Sequence, residues 1–227
     1  MEVLAASITE ALFDHADPAR AEGERAYLKS DREFLGVSVP DGRRVVKEAL
    51  RDAGDLDREQ LRDLAEELWA GPVFECRRAA VEVLLARAAA LGAGDLDLVE
   101  ALVRDGETWA LVDPLAVGVA GSIVARGVDE VVGTALDRWS EDPDSFWMRR
   151  ASMLALLVSL RRDDRDWARF CRYADRMMGE REFFIRKAIG WVLRDLSRRR
   201  PDQVRAYVTP RLDQMSGVTR REATKYL

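Results

Sequence analysis

Met148-Arg149-Arg150-Ala151 is one of five related segments spread along the chain. The others are Gly42-Arg43-Arg44-Val45, Cys76-Arg77-Arg78-Ala79, Ile185-Arg186-Lys187-Ala188 and Thr219-Arg220-Arg221-Glu222. Each carries a basic doublet, and in three of them a small residue follows it. Anchored on the residue after the doublet, they fall at positions 45, 79, 151, 188 and 222. The gap from 79 to 151 is twice the others, and its midpoint lies near Ala116. Including that position gives steps of 34, 37, 35, 37 and 34 residues. A period in the mid-thirties, with one amphipathic helix pair per unit, is the mark of an α-solenoid.

The sequence around these anchors agrees. Apolar residues recur at helical spacing almost throughout, with no convincing alternating strand. Short breaks punctuate the pattern at Asp17-Pro18, Val39-Pro40, Gly71-Pro72, Gly92 to Gly94, Asp105-Gly106, Asp142-Pro143 and Arg200-Pro201. Several put proline where it would open a helix, a position that tolerates its missing N–H. The expectation is an all-α fold: roughly a dozen helices of about 10–20 residues joined by short turns. They should form one domain over residues 1–227, an α-solenoid of about six HEAT-like helix pairs with a concave basic face.

Equivalent positions of stacked repeats line up along one face, so the five doublets should draw a basic stripe. Two readings of the stripe stand equal at this point. It can grip a phosphate backbone, or its arginines can form an internal ladder with neighbouring carboxylates. One slot breaks the rule: before Ala116 the chain reads Val112-Asp113-Pro114-Leu115, four residues after Trp109. A carboxylate there opposes phosphate binding and calls for a reason. Either Asp113 caps a helix ahead of Pro114, or it has a chemical role, which is the preferred reading.

Bulk composition narrows the classes. The 227 residues, 48% hydrophobic and 34% charged, suit a folded chain rather than a disordered one. No stretch approaches the roughly 18 uninterrupted apolar residues of a membrane span, and Met1 to Thr9 lacks the basic start of a secretory signal. Cys76 and Cys171 are far apart, and His15 is the one histidine, so no Cys/His metal site is expected. Both thiols should be buried and free, and the compartment cytoplasmic. Net charge is −5, which argues against a nucleic-acid partner, but it does not say where the charges sit. Four lysines against 32 arginines suit phosphate recognition, and a GC-rich genome produces the same bias. There is no P-loop, G-x-G-x-x-G or histidine metal motif, so no cofactor and no metal are expected.

The run from Phe183 to Arg194, with its Lys187-Ala188-Ile189-Gly190-Trp191 core, resembles the signature of the AlkD-like family of DNA glycosylases. Tyr27-Leu28-Lys29, Phe34-Leu35-Gly36-Val37, Glu67-Leu68-Trp69, Trp109 with Asp113, Trp147-Met148-Arg149-Arg150-Ala151 and Arg221-Glu222-Ala223 match in family order, covering residues 27 to 223. The resemblance implies an active cleft of Trp109, Asp113, Arg150 and Trp191, with Tyr27 nearby. Asp113 would be the catalytic carboxylate, Trp109 and Trp191 would pack against the lesion's deoxyribose, and Arg150 would contact a phosphate. Lys29, Arg43, Arg44, Arg77, Arg78, Trp147, Arg149, Phe184 and Lys187 complete the expected DNA-contacting set. Two departures stand out: Ala110 replaces a family acid after Trp109, and an extra residue separates Pro40 from Arg43-Arg44.

The implied partner is duplex DNA carrying N3- or N7-alkylated purines, bound by a monomer and without base flipping. Such bases are cationic and leave without a general acid, so the scarcity of histidine is no obstacle. A carboxylate can stabilise the oxocarbenium-like sugar and position water, and indole faces attract cations by roughly 0.5–2 kcal/mol. The alternatives are a catalytically silent DNA-structure binder and a protein-binding scaffold. Trp69, Trp139 and Trp167 are expected in the core, and His15 has no assigned role.

Overall fold

The computed structural model describes residues 1–127 and 129–227. Among them the chain is all-α, and the only β feature is an isolated bridge between Glu33 and Val73. It divides into two compact units, Met1–Leu115 and Ala116–Leu227.

The first unit contains α1 (Glu2–Phe13), α2 (Pro18–Leu28), α3 (Val39–Ala53), α4 (Arg58–Ala70), α5 (Phe74–Ala86), α6 (Leu96–Asp105) and α7 (Trp109–Pro114). Local chemistry sets their ends. Asp17 caps α2 by accepting from the N–H groups of Ala19 and Arg20, with Pro18 as first helical residue. Ser38 caps α3, and Asp57 with Gln60 forms a reciprocal capping box on α4. Leu61, Leu64, Ala65 and Leu68 recur at helical spacing and bury the face of α4 that meets α5. Each buried leucine stabilises the unit by about 1.5–3 kcal/mol. Helix α5 also packs on α3, and α1 covers α3 and α4, so α5 is buried on several sides.

The second unit contains α8 (Gly121–Arg126), α9 (Glu130–Ser140), α10 (Phe146–Leu154), α11 (Leu157–Arg162), α12 (Trp167–Met177), α13 (Phe183–Ser197), α14 (Pro201–Val208) and α15 (Gly217–Ala223). Helix α10 packs on α9 and α13, α13 on α15, and α8 on α11. Trp69 and Trp139 are buried as expected, whereas Trp167 is half-buried against Phe170 and Tyr207. Cys76 is buried and Cys171 half-buried, both free. Burial and the Asp175 charge push the Cys171 thiol up to about 12, which keeps it protonated and unreactive.

The five proline breaks fall between helices or at helix starts, as the sequence places them. Pro114 lies inside a continuous helical run, Trp109–Arg126. Proline cannot donate to the carbonyl one turn back and crowds it, and the next residues, Leu115–Ala120, wind as a π-helix. This run has the length and apolarity of a membrane span, at a mean hydropathy of 1.3, although Asp113 interrupts it. It is 56% buried, as a core helix would be.

Candidate active site

Four of the five doublets and the exceptional slot share one helical register. The second basic residue is the fifth helical residue in α5 (Arg78), α10 (Arg150), α13 (Lys187) and α15 (Arg221). In α3 the doublet sits one place later, which is where the extra residue after Pro40 goes. Asp113 is the fifth residue of α7. It therefore occupies the arginine slot, and it is not a cap, because Thr108 caps α7 by accepting from the Ala110 N–H. Ala110 stands in that first turn, where an acid would favour the helix dipole, so its substitution affects the helix start. Aromatic residues open four of these helices: Phe74, Trp109, Phe146 and Phe183. The sequence reading missed that second periodicity, which was visible four residues before each slot.

In the first unit, Trp109 and Asp113 are one turn apart and so lie on the same side of α7. Trp109 is 36% exposed, and Tyr27 at the end of α2 meets it edge-on at 6.1 Å and 90°. Asp113 is half-buried. The loop leading into Trp109 is tied down on two sides. Arg32 donates to the Asp105 carbonyl and pairs with Glu107 at 2.9 Å, where Glu107 adopts a left-handed φ of 54°. Arg77 donates to the Asp105 carbonyl at 3.0 Å and its carboxylate at 2.6 Å, and that carboxylate also accepts from the Trp69 indole at 2.8 Å.

A second anchor holds the segment after α2. Buried Glu75 accepts from the N–H groups of Leu35, Gly36 and Val37, at 2.9, 2.7 and 3.2 Å. Gly36 has φ +79° and packs against the Asp17 backbone, leaving no room for a side chain. Arg78 donates to the Val37 carbonyl. These contacts explain the Phe34-Leu35-Gly36-Val37 motif. Lys29 is exposed at the left-handed end of α2.

In the second unit several aromatic groups pack together, although Phe183 itself is 52% exposed. Trp147 lies 4.7 Å from Phe184 and 4.5 Å from Phe146 (ring centroids), and Phe183 closes on Phe184 at 5.5 Å. Arg150, 3% exposed, donates to the Phe184 carbonyl at 2.5 Å. Its guanidinium lies 5.8 Å from the Phe184 ring and 5.9 Å from the half-buried Trp191. Glu222 takes Lys187 at 2.5 Å and also Arg194. The Lys187 hydrogen bond, helped by the Arg194 charge and opposed by burial, holds the Glu222 carboxyl below the usual glutamate range. Gly190 lets α13 approach α15: a Cβ there would stand 2.6 Å from the Glu222 Cβ.

The doublets take part in a ladder whose rungs join residues about one repeat apart. Arg43 pairs with Glu82 at 2.8 Å, Arg77 with Asp105, Arg149 with both Glu180 oxygens at 3.0 Å, and Lys187 with Glu222. Arg44 pairs within its own helix, with Asp41 at 2.7 Å. Arg43 and Arg44 remain exposed, whereas Arg77 and Arg150 are buried and Arg78 and Arg149 half-buried. Among the described residues, no group of three or more His, Cys, Asp or Glu could hold a metal ion.

Comparison with known proteins places the chain in a family. The family model for DNA alkylation repair enzymes matches residues 8–227. The chain belongs to that family. Its fold is shared with a solved structure described as a predicted DNA alkylation repair enzyme from Enterococcus faecalis, at 24% identity and a TM-score of 0.79. That match covers 94% of this chain and 97% of the other. The protein smu.31 from Streptococcus mutans is similar at 18% identity and a TM-score of 0.58, over 83% and 92% of the two chains. No curated protein sequence matches. The family assigns this DNA alkylation repair protein a role in DNA repair.

Among the ladder members absent from the sequence-based site are Arg194 and Glu222. Their signal was the close-packed Gly190, one turn before Arg194 and opposite α15.

Proposed function

We propose that the protein is a monofunctional DNA glycosylase. It hydrolyses the N-glycosidic bond of cationic N3- or N7-alkylated purines in duplex DNA without flipping the base. The observation that carries this reading is a carboxylate, Asp113, in the helical register that elsewhere holds a cation, one turn from an exposed tryptophan. Membership of the DNA alkylation repair family supports it.

The first unit carries the chemistry. In it, the Trp109 face and the Asp113 carboxylate receive the sugar as positive charge develops at its anomeric carbon. The C–N bond breaks towards the base, whose ring cation takes the electron pair and leaves neutral, so no proton need be supplied. Asp113 orients the attacking water and stabilises the cationic sugar, a form of electrostatic preorganisation. Within the second unit, Trp191 is read as a sugar-contacting group and Arg150 as a backbone-contacting one. Selection follows the positive charge of the lesion, because an ordinary purine is neutral and gains little from indole faces.

The test is release of 7-methylguanine from duplex DNA, read as alkali-labile abasic sites. The parent protein should form them, and Asp113→Asn should not. An Asp113→Asn variant as fast as the parent would favour the alternative, a DNA-structure binder without catalysis.

A further inference from the structure

The second unit holds a cavity of about 260 Å³ lined by Trp191, Arg194, Asp195, Arg198, Lys225 and Tyr226. Its carboxylate is already engaged: Arg161 grips both Asp195 oxygens, at 2.9 and 3.0 Å. Arg194 is committed to Glu222. The other two cations are not neutralised in this way. Arg198 lies 4.1 Å from the centre of the Tyr226 ring and donates to its phenol oxygen, and Lys225 stands 5.6 Å from the same ring. Among the described residues neither Arg198 nor Lys225 has a carboxylate within ion-pair distance.

In a molecule whose arginines are so widely laddered to acids, two cations outside any ion pair around one phenol make a seat for an anion, although Lys225 also feels the Glu222 charge. Arg198 keeps N–H groups beyond the one given to Tyr226. The Tyr226 hydroxyl accepts from Arg198 and so has its own proton to donate outward. That set of donors matches the non-bridging oxygens of a phosphate. The cavity is smaller than the roughly 300–1,000 Å³ of drug-sized sites, which suits a phosphate group with its waters. Trp191 forms part of the wall.

We propose that this cavity seats a backbone phosphodiester next to the alkylated nucleotide, held by Arg198, Lys225 and the Tyr226 hydroxyl. Its placement beside the lesion rests on the glycosylase reading of Trp191. The shared wall would pass the position of the phosphate to the sugar that Trp191 contacts, so Arg198 and Lys225 are positioning residues. Free inorganic phosphate has the same chemistry and is the rival occupant.

Full-length protein would be titrated with a duplex holding one tetrahydrofuran abasic analogue, by fluorescence anisotropy between 50 and 200 mM salt (roughly the range over which phosphate contacts are read). For an Arg198→Gln/Lys225→Gln double variant, affinity should fall about tenfold or more. The slope of log K against log salt should become shallower by about 1–2. Both side chains are exposed, so the melting temperature should stay that of the parent. Duplexes with a neutral methylphosphonate at single positions flanking the analogue locate the contact. At one position the parent should lose the same affinity and the variant nothing further. An unchanged salt slope in the variant, or methylphosphonate losses equal in parent and variant at every flanking position, overturns the proposal. So does inorganic phosphate binding that the double variant abolishes while duplex binding is untouched. The duplex has no base to excise, so failure of the glycosylase reading appears only in the abasic-site assay and leaves these binding results interpretable.

Discussion

Helices α7 and α10 offer the same register slot to opposite charges, Asp113 in one and Arg150 in the other. Their surroundings differ as much as their charges. In the first unit the aromatic residue opening the helix, Trp109, is exposed and touched edge-on by Tyr27. In the second, Phe146 packs at a tilt on Trp147, which is only 9% exposed, and Arg150 lies beside Phe184 and Trp191. Register thus decides where a side chain is delivered, and neighbours decide whether it is presented or packed. The acidic slot sits beside presented groups, and the basic slot beside packed ones.

The largest effect expected from breaking this contrast is at Asp113. Asp113→Asn should slow 7-methylguanine release by about 10²-fold or more. Arg150→Ala should act on both binding and folding. It strips a buried carbonyl, that of Phe184, of its charged donor, which costs about 1–3 kcal/mol in urea unfolding. Arg150→Lys should rescue this poorly, because an ammonium cannot reproduce a flat guanidinium between two rings.

Gly190→Ala sharpens the packed side of the comparison. The added methyl meets the Glu222 Cβ, an atom fixed by its own helix, so we expect a loss of about 1–3 kcal/mol by thermal or urea unfolding. Glu222 predicts a pH signature. Its carboxyl is held below its ordinary value, so its contribution is complete above the unfolded value near about 4.3. That contribution is lost as pH falls through the lower folded value. Glu222→Gln should therefore be less stable than the parent at pH 7, and the difference should shrink below about pH 4 in urea titrations. The smallest effect is expected at Tyr27. Its edge contact with Trp109 is exposed, so Tyr27→Ala should cost about 0.5–1.5 kcal/mol at most, read by urea unfolding.

Much of this was legible beforehand. The mid-thirties period, the breaks at Asp17-Pro18 and Val39-Pro40, and the odd slot at Asp113 all depend on residues a few places apart, which a sequence displays. The fate of the doublets was not legible. Arg43 meets Glu82, Arg149 meets Glu180 and Lys187 meets Glu222, each pair separated by more than 30 residues. Nothing in an arginine doublet says whether such a partner lies within reach. Asp113 before Pro114 invited a reading as a cap, and the chain instead carries the helix through the proline by loosening into a π-turn.

Helix class, repeat length and register followed from the order of residues, because capping, proline geometry and apolar spacing act over one or two turns. Which cations are neutralised inside the protein and which stay available, as at Arg198 and Lys225, required the folded chain. Ion pairing depends on distances of a few ångströms between groups that only packing brings together.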